Sequence, residues 1–172
     1  MWCAAACCRQ AADAGDPAGE DKLNWCVGIA VDAARGEVYW SQKGGSKAFQ
    51  GRILRGKIGD VTGTREVVFE GLPEPIDLEF EAESGMLYWT DRGDPPRGNT
   101  LNRARVVREK AGEVEILSSR LHEAIGLAVD VGAGKAYVAD LAGGVYEIDL
   151  VSRKKKVLFP ELGDLTGIAL GQ

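Results

Sequence analysis

Leu87-Tyr88-Trp89-Thr90-Asp91 decides the fold, because the chain carries this pattern three times. Val38-Tyr39-Trp40-Ser41-Gln42 comes before it and Ala136-Tyr137-Val138-Ala139-Asp140 after it, with the tyrosines 49 residues apart in both steps. Flanking residues keep the interval: Asp32, Glu81 and Asp130; Gly36, Gly85 and Gly134; Gly28, Asp77 and Gly126. A constant step of this length marks an array of similar supersecondary units.

Within the middle unit, residues 76–81 alternate apolar and polar side chains, the period of a half-buried strand. A turn at 82–85 offers Gly85 for positive φ. Residues 86–90, rich in aromatic and β-branched types, read as a second strand, 100–106 as a third and 114–117 as a fourth. The first unit gives strands at 27–32, 37–41, 52–56 and 66–69. The third gives 125–130, 135–139, 145–149 and 156–159, and a further strand is expected at 165–170. Four strands per unit in series predict an all-β fold, a β-propeller of four-stranded antiparallel blades. Helical repeats would show a 3.6-residue period, and a β-sandwich needs no constant step. The expected division is a disordered tail over 1–24, then blades over 25–72, 73–121 and 122–161, and the start of a fourth over 162–172.

Composition narrows the function. The 172 residues are 45% hydrophobic, as in a globular protein, and the net charge of −5 argues against nucleic acid as partner. The one basic run, Arg153-Lys154-Lys155-Lys156, lies between two strands and reads as a solvated turn. No stretch approaches the length of a transmembrane helix, and the apolar start Met1–Cys8 is too short for a signal core. The expected location is cytoplasmic, with Cys3, Cys7, Cys8 and Cys26 reduced. Their spacing lacks the second pair that zinc needs.

Leu87-Tyr88-Trp89-Thr90-Asp91, with Ile76-Asp77-Leu78 and the Gly85 turn before it and Leu101-Asn102-Arg103-Ala104 after it, resembles the YWTD propeller repeat of LDL-receptor class B-like proteins. The likeness runs from Trp25 to the C-terminus. Gln42 in place of Asp, and Val138 in place of Trp, depart from it. The resemblance implies a six-bladed ring, of which three blades are half. Related six-bladed propellers include receptors, scaffolds and lactone-cleaving enzymes, so it fixes the fold more closely than the function.

Three blades leave two terminal sheet faces uncovered, and exposed apolar faces mark an interface. The expected partner is a second copy, in a C2 homodimer that closes one six-bladed ring. A truncated product, or a half completed by a different chain, is the alternative.

The first strand of each blade should line the central channel, so residues just before those strands should crowd one mouth. Aligned on Gly28, Asp77, Gly126 and Gly167, these are Trp25, Glu74, Glu123 and Asp164, preceded at the next position by Asn24, Pro73, His122 and Gly163. Asp77 stands where the other copies have Gly and is expected to project into the channel. Carboxylate and amide oxygens from Glu74, Glu123, Asp164 and Asn24 suit Ca²⁺ or Mg²⁺, and likeness to gluconolactonase-like propellers would make such a site hydrolytic. The bland reading is a set of solvated loop acids. His122, the only histidine, is a candidate general base or a simple loop residue. Ser118-Ser119 lie near it without a nucleophile elbow. The leading expectation is a non-enzymatic scaffold whose channel-mouth loops, residues 42–51 and 92–99, meet a protein or small ligand. The alternative is a metal-dependent hydrolase.

Overall fold

The computed structural model describes residues 25–46, 48–107 and 110–171. Among them thirteen strands form three antiparallel sheets in chain order. The first sheet comprises β1 (Cys26–Asp32), β2 (Glu37–Gln42), β3 (Gly51–Lys57) and β4 (Glu66–Leu72). The second comprises β5 (Pro75–Glu81), β6 (Met86–Asp91), β7 (Thr100–Val107) and β9 (Glu115–Ser118), with the two-residue β8 (Lys110–Ala111) on the far end of β7. The third comprises β10 (Ala124–Asp130), β11 (Lys135–Asp140), β12 (Val145–Asp149) and β13 (Lys155–Phe159). These are three blades of a β-propeller.

The repeat is a repeat of register. Ala30 pairs with Tyr39, Glu79 with Tyr88 and Ala128 with Tyr137, the same place in each first-to-second strand ladder. Period two then sends Tyr and Trp to opposite faces of their sheet. Tyr88 packs toward the third blade with Leu101 and Leu127, while Leu87 and Trp89 pack toward the first with Ile53 and Phe69. Aromatic contacts stitch the first two blades: Tyr39 stacks on Phe80 at 5.2 Å and Phe69 meets Trp89 at 5.3 Å between centroids.

Inner strands lie against inner strands. A Cβ on Gly28 would stand 2.1 Å from the carbonyl oxygen of Ile76, so no side chain fits there. The motif hydroxyl locks this contact. Ser41 Oγ accepts from the N–H of Gly28 at 2.8 Å and donates to the Ile76 carbonyl at 2.6 Å. Thr90 Oγ1 repeats the arrangement between Asp77 N–H (3.1 Å) and the Ile125 carbonyl (2.7 Å).

One expected strand is not formed, and one element was not foreseen. Residues 165–170 form no strand. Gly167 does lie against Gly126, where a Cβ would approach its Cα to 2.8 Å, so the segment occupies an inner-strand place. A strand needs a ladder partner, and among the described residues none pairs with it. The segment over 61–64 is a helical turn, α1 (Val61–Thr64), capped by Asp60, whose side chain accepts from the N–H of Gly63. Of the basic run, Arg153 and Lys154 lie in the exposed β12–β13 turn, whereas Lys155 and Lys156 open β13. Two of its members also reach the second blade: Arg153 pairs with Glu115 at 3.2 Å, and Lys155 donates to the Ser119 and Arg120 carbonyls. Cys3, Cys7, Cys8 and the tail lie outside the described residues. No helix among those described is long and apolar enough to cross a membrane.

Candidate functional site

The motif aspartates organise the edge where the inner strands begin. Each ends a second strand fully buried. Asp91 accepts from the N–H of Glu74 (3.0 and 3.2 Å) and of Gly93 (2.9 Å); Asp140 accepts from His122 N–H (3.0 Å) and Gly144 N–H (2.8 Å). These bonds hold Glu74 and His122, the residues the sequence placed on one rim. In the first blade Gln42 takes this place and accepts from Arg52 at 2.7 Å instead.

A polar strip runs along this edge through all three blades. Lys43 lies 5.4 Å from the centre of the half-exposed Trp25 ring and 4.0 Å from Glu74. Glu74, buried, takes a bond from Arg92 Nε at 2.9 Å, and Arg92 Nη1 lies 3.8 Å from Glu123. Glu123 adopts a positive φ of 57°, held by its N–H to Asn99 Oδ1 at 2.6 Å. Lys43 and Arg92, which the sequence reading omitted, thus link Trp25, Glu74 and Glu123 along this strip, and His122 precedes Glu123 in the chain.

The proposed cation ligands do not fit a cation here. Glu74 is already matched by two positive side chains and Glu123 faces one. Asp164 is exposed and makes no ion pair with them, and Asn24 lies outside the described residues. Among the described residues no three His, Cys, Asp or Glu side chains are placed to share a metal ion. Asp77 also departs from expectation. Its Oδ2 accepts from the Leu127 N–H of the next blade at 2.9 Å and its Oδ1 from Leu78 N–H at 3.0 Å, so it bridges two inner strands. Burial still raises its pKa against those two bonds, and raises that of Glu79 with the Asp77 charge adding.

A second cluster sits on the third blade. The exposed His122 ring has Nδ1 3.5 Å from Tyr146 Oη and 3.7 Å from Asp140 Oδ2. Tyr146 is pushed up to about 12 by burial and by Asp140 beside it, so its hydroxyl keeps its proton at neutral pH. Lys155 stands 5.2 Å from the Tyr146 ring. Its pKa is lowered by burial and by Arg120. Among the described residues no serine hydrogen-bonds the imidazole. The sequence signal for it was weak: only Asp140 belongs to the repeat, and Tyr146 stands where the other blades have Leu54 and Asn102.

Burial also lifts the Asp91 carboxyl to about 6, against the pull of the Gly93 and Glu74 amides and with the Glu74 charge adding. Beside it, Leu72, Pro73, Trp89, Arg97, Asn102, Val114 and Ile116 line an open hollow of about 210 Å³.

The chain resembles known proteins in sequence. The chain is 52% identical over 160 residues to a protein of Pyricularia oryzae named low-density lipoprotein receptor-related protein 1, an alignment covering 87% of this chain and 52% of that protein. It is 40% identical over 169 residues to a protein of Cochliobolus heterostrophus named 3-hydroxyacyl-CoA dehydrogenase-like protein LAM1, covering 87% of this chain and 35% of that one. The chain thus spans about half or less of the length of these relatives. No family model matches it. By its strands and by the first of these likenesses, the chain is a partial β-propeller similar to an LDL-receptor-related protein.

Proposed function

We propose that the chain is a binding scaffold. Its blades hold the inner-strand edge and the loops over 42–51 and 92–99 toward a protein or small ligand, and a second copy completes the ring to six blades. One observation carries the closure. Val27, Ile29 and Val31 on the outer face of β1 are 47%, 47% and 51% exposed, whereas Ile76 and Leu78, in the same places on β5, are 4% and 3% exposed. The blade-covering face of the repeat is present and uncovered, and a self-complementary half is the simplest cover for it. The matched part makes up 52% of the longer Pyricularia relative.

Ile29→Asp tests the closure, because it sets a charge on the open face without touching the cores between blades. Sedimentation should show wild-type association lost in the variant, with circular dichroism unchanged. Association at the same concentration in both would contradict the reading.

A hydrolase acting on lactones is the second reading, favoured by the His122, Tyr146 and Asp140 cluster. There His122 would take a proton from an attacking water while Tyr146 donates toward the carbonyl oxygen. Loss of lactone turnover in both His122→Gln and Tyr146→Phe would support it, and no turnover by wild type would remove it.

A further inference from the structure

We infer that residues 164–171 are a strap on the third blade, displaced when the first blade of a second copy seats there with its Trp25 against Leu141 and its Gly28 in the place of Gly167. This rests on the closure proposed above and names the contact that makes it.

The strap fills a seat without being bound into it. A Cβ on Gly126 would stand 2.8 Å from Gly167 Cα, much as one on Gly28 would stand 2.9 Å from Asp77 Cα, so Gly167 continues the series of inner strands. Among the described residues, 164–171 make no hydrogen bond, and only Leu165 and Ile168 are half-buried. Tyr39 and Tyr88 are 0% and 4% exposed where the following blade covers them, whereas Tyr137, in the same place on the third blade, is only half-buried. A segment whose backbone groups are unpaired gives up no protein hydrogen bond when it leaves.

A first blade fits the same seat residue by residue. Val27-Gly28-Ile29-Ala30-Val31 corresponds to Thr166-Gly167-Ile168-Ala169-Leu170. Unlike the strap, β1 is laddered to β2 from Asp32–Glu37 to Cys26–Gln42, and Ser41 Oγ takes the Gly28 N–H. It therefore arrives as part of a whole sheet, with the exposed Val27, Ile29 and Val31 to bury. The strap brings no second strand.

Residues at the inner-strand edge select the partner. The residue after each motif donates its N–H to the residue before its own inner strand: Lys43 to the Trp25 carbonyl at 3.4 Å, Arg92 to Glu74 at 3.0 Å and Leu141 to Glu123 at 3.2 Å. At each covered seam its side chain also meets the residue before the next inner strand, Lys43 with Glu74 at 4.0 Å and Arg92 with Glu123 at 3.8 Å. At the third seam Leu141 replaces the cation, and the strap brings Asp164, exposed and without an ion pair among the described residues. The first blade brings Trp25, the one uncharged member of that set and 45% exposed. Ion pairs at the two inner seams and an apolar pair between copies form a complementary set.

Charge exchange in the full chain tests the pairing, read by sedimentation equilibrium with circular dichroism as the check on folding. Trp25→Glu should weaken association about tenfold, because the acid meets Leu141. Trp25→Glu combined with Leu141→Arg rebuilds the pair found at the other two seams, and should return association to within about threefold of wild type. Deleting residues 164–172 should strengthen association about tenfold, since the seat is then always open. Trp25→Glu without effect, a double variant no better than Trp25→Glu, or a deletion that leaves association unchanged or weaker would each overturn the inference. In those cases association that is still lost in Ile29→Asp leaves the closure itself standing. A wild type that stays monomeric removes both.

Discussion

Two seams in this molecule carry a hydroxyl and the next one does not. Ser41 and Thr90 each tie an inner strand to its own second strand and to the blade that follows, whereas Ala139 holds the same place on the third blade. The ladders change with it. In the first two blades the register breaks between Cys26 and Ile29 and between Pro75 and Leu78, leaving the N–H of Gly28 and Asp77 to the hydroxyl. In the third blade the break shortens, and Gly126 pairs directly with Ala139. The Ser or Thr of the repeat is thus an inserted bridge. It substitutes for one ladder position and extends the bonding to the neighbouring blade. Without it, Gly167 still lies against Gly126, and most of residues 165–170 are exposed, with no such bridge among the described residues.

The covered and open faces should respond most differently. Leu78→Ala empties a buried site between the first and second blades and should cost about 4 kcal/mol in urea unfolding. Ile29→Ala, in the same place on the open face, should cost under about 1 kcal/mol in the single chain. Equal losses would mean that the two faces are equally covered, and would break the comparison.

Asp91 sets a pH test on the second blade. Its folded carboxyl, lifted to about 6 from an ordinary 3.8, holds a proton that the unfolded chain releases. Stability from this group is therefore fully present below about pH 4 and falls as pH rises through 6, by about 3 kcal/mol in all. Asp91→Asn should remove that slope, leaving a pH-independent offset from its altered amide bonds. Urea midpoints at pH 4, 5, 6 and 7 for both proteins would show it as a difference curve.

The hydroxyl bridge ranks next. Thr90→Val keeps the shape but leaves the Asp77 N–H and the Ile125 carbonyl without their shared partner, and should cost about 2 kcal/mol. Ala139→Ser should move the other way, gaining up to about 1 kcal/mol if the hydroxyl reaches the segment beside Gly167. A neutral Thr90→Val would reduce the bridge to strand filler.

The strands were legible because Tyr, Trp and the β-branched residues recur at one step, and the step survives drift at Gln42 and Val138. Helix α1 was not, since four residues behind one Asp60 cap carry no period to read. The segment at 165–170 has an inner strand's sequence, but pairing needs a neighbour, which sequence alone does not supply. At the inner-strand edge, Glu74, Glu123 and His122 followed from the alignment of repeats. Arg92 and Lys43, which turn that edge from a cation site into an ion-paired strip, stand one residue past the motif, outside the alignment on the inner strands. Trp89 carries two roles in one residue. Its place in the motif explained its burial and concealed the hollow that its ring helps to line.

The proposed closure rests on three blades whose β1 face is uncovered. Light scattering on the purified chain across a concentration series tests this most directly: the expected mass is twice 18.4 kDa, held to low concentration. A stable species of 18.4 kDa, monodisperse with the β1 face still open, would contradict it.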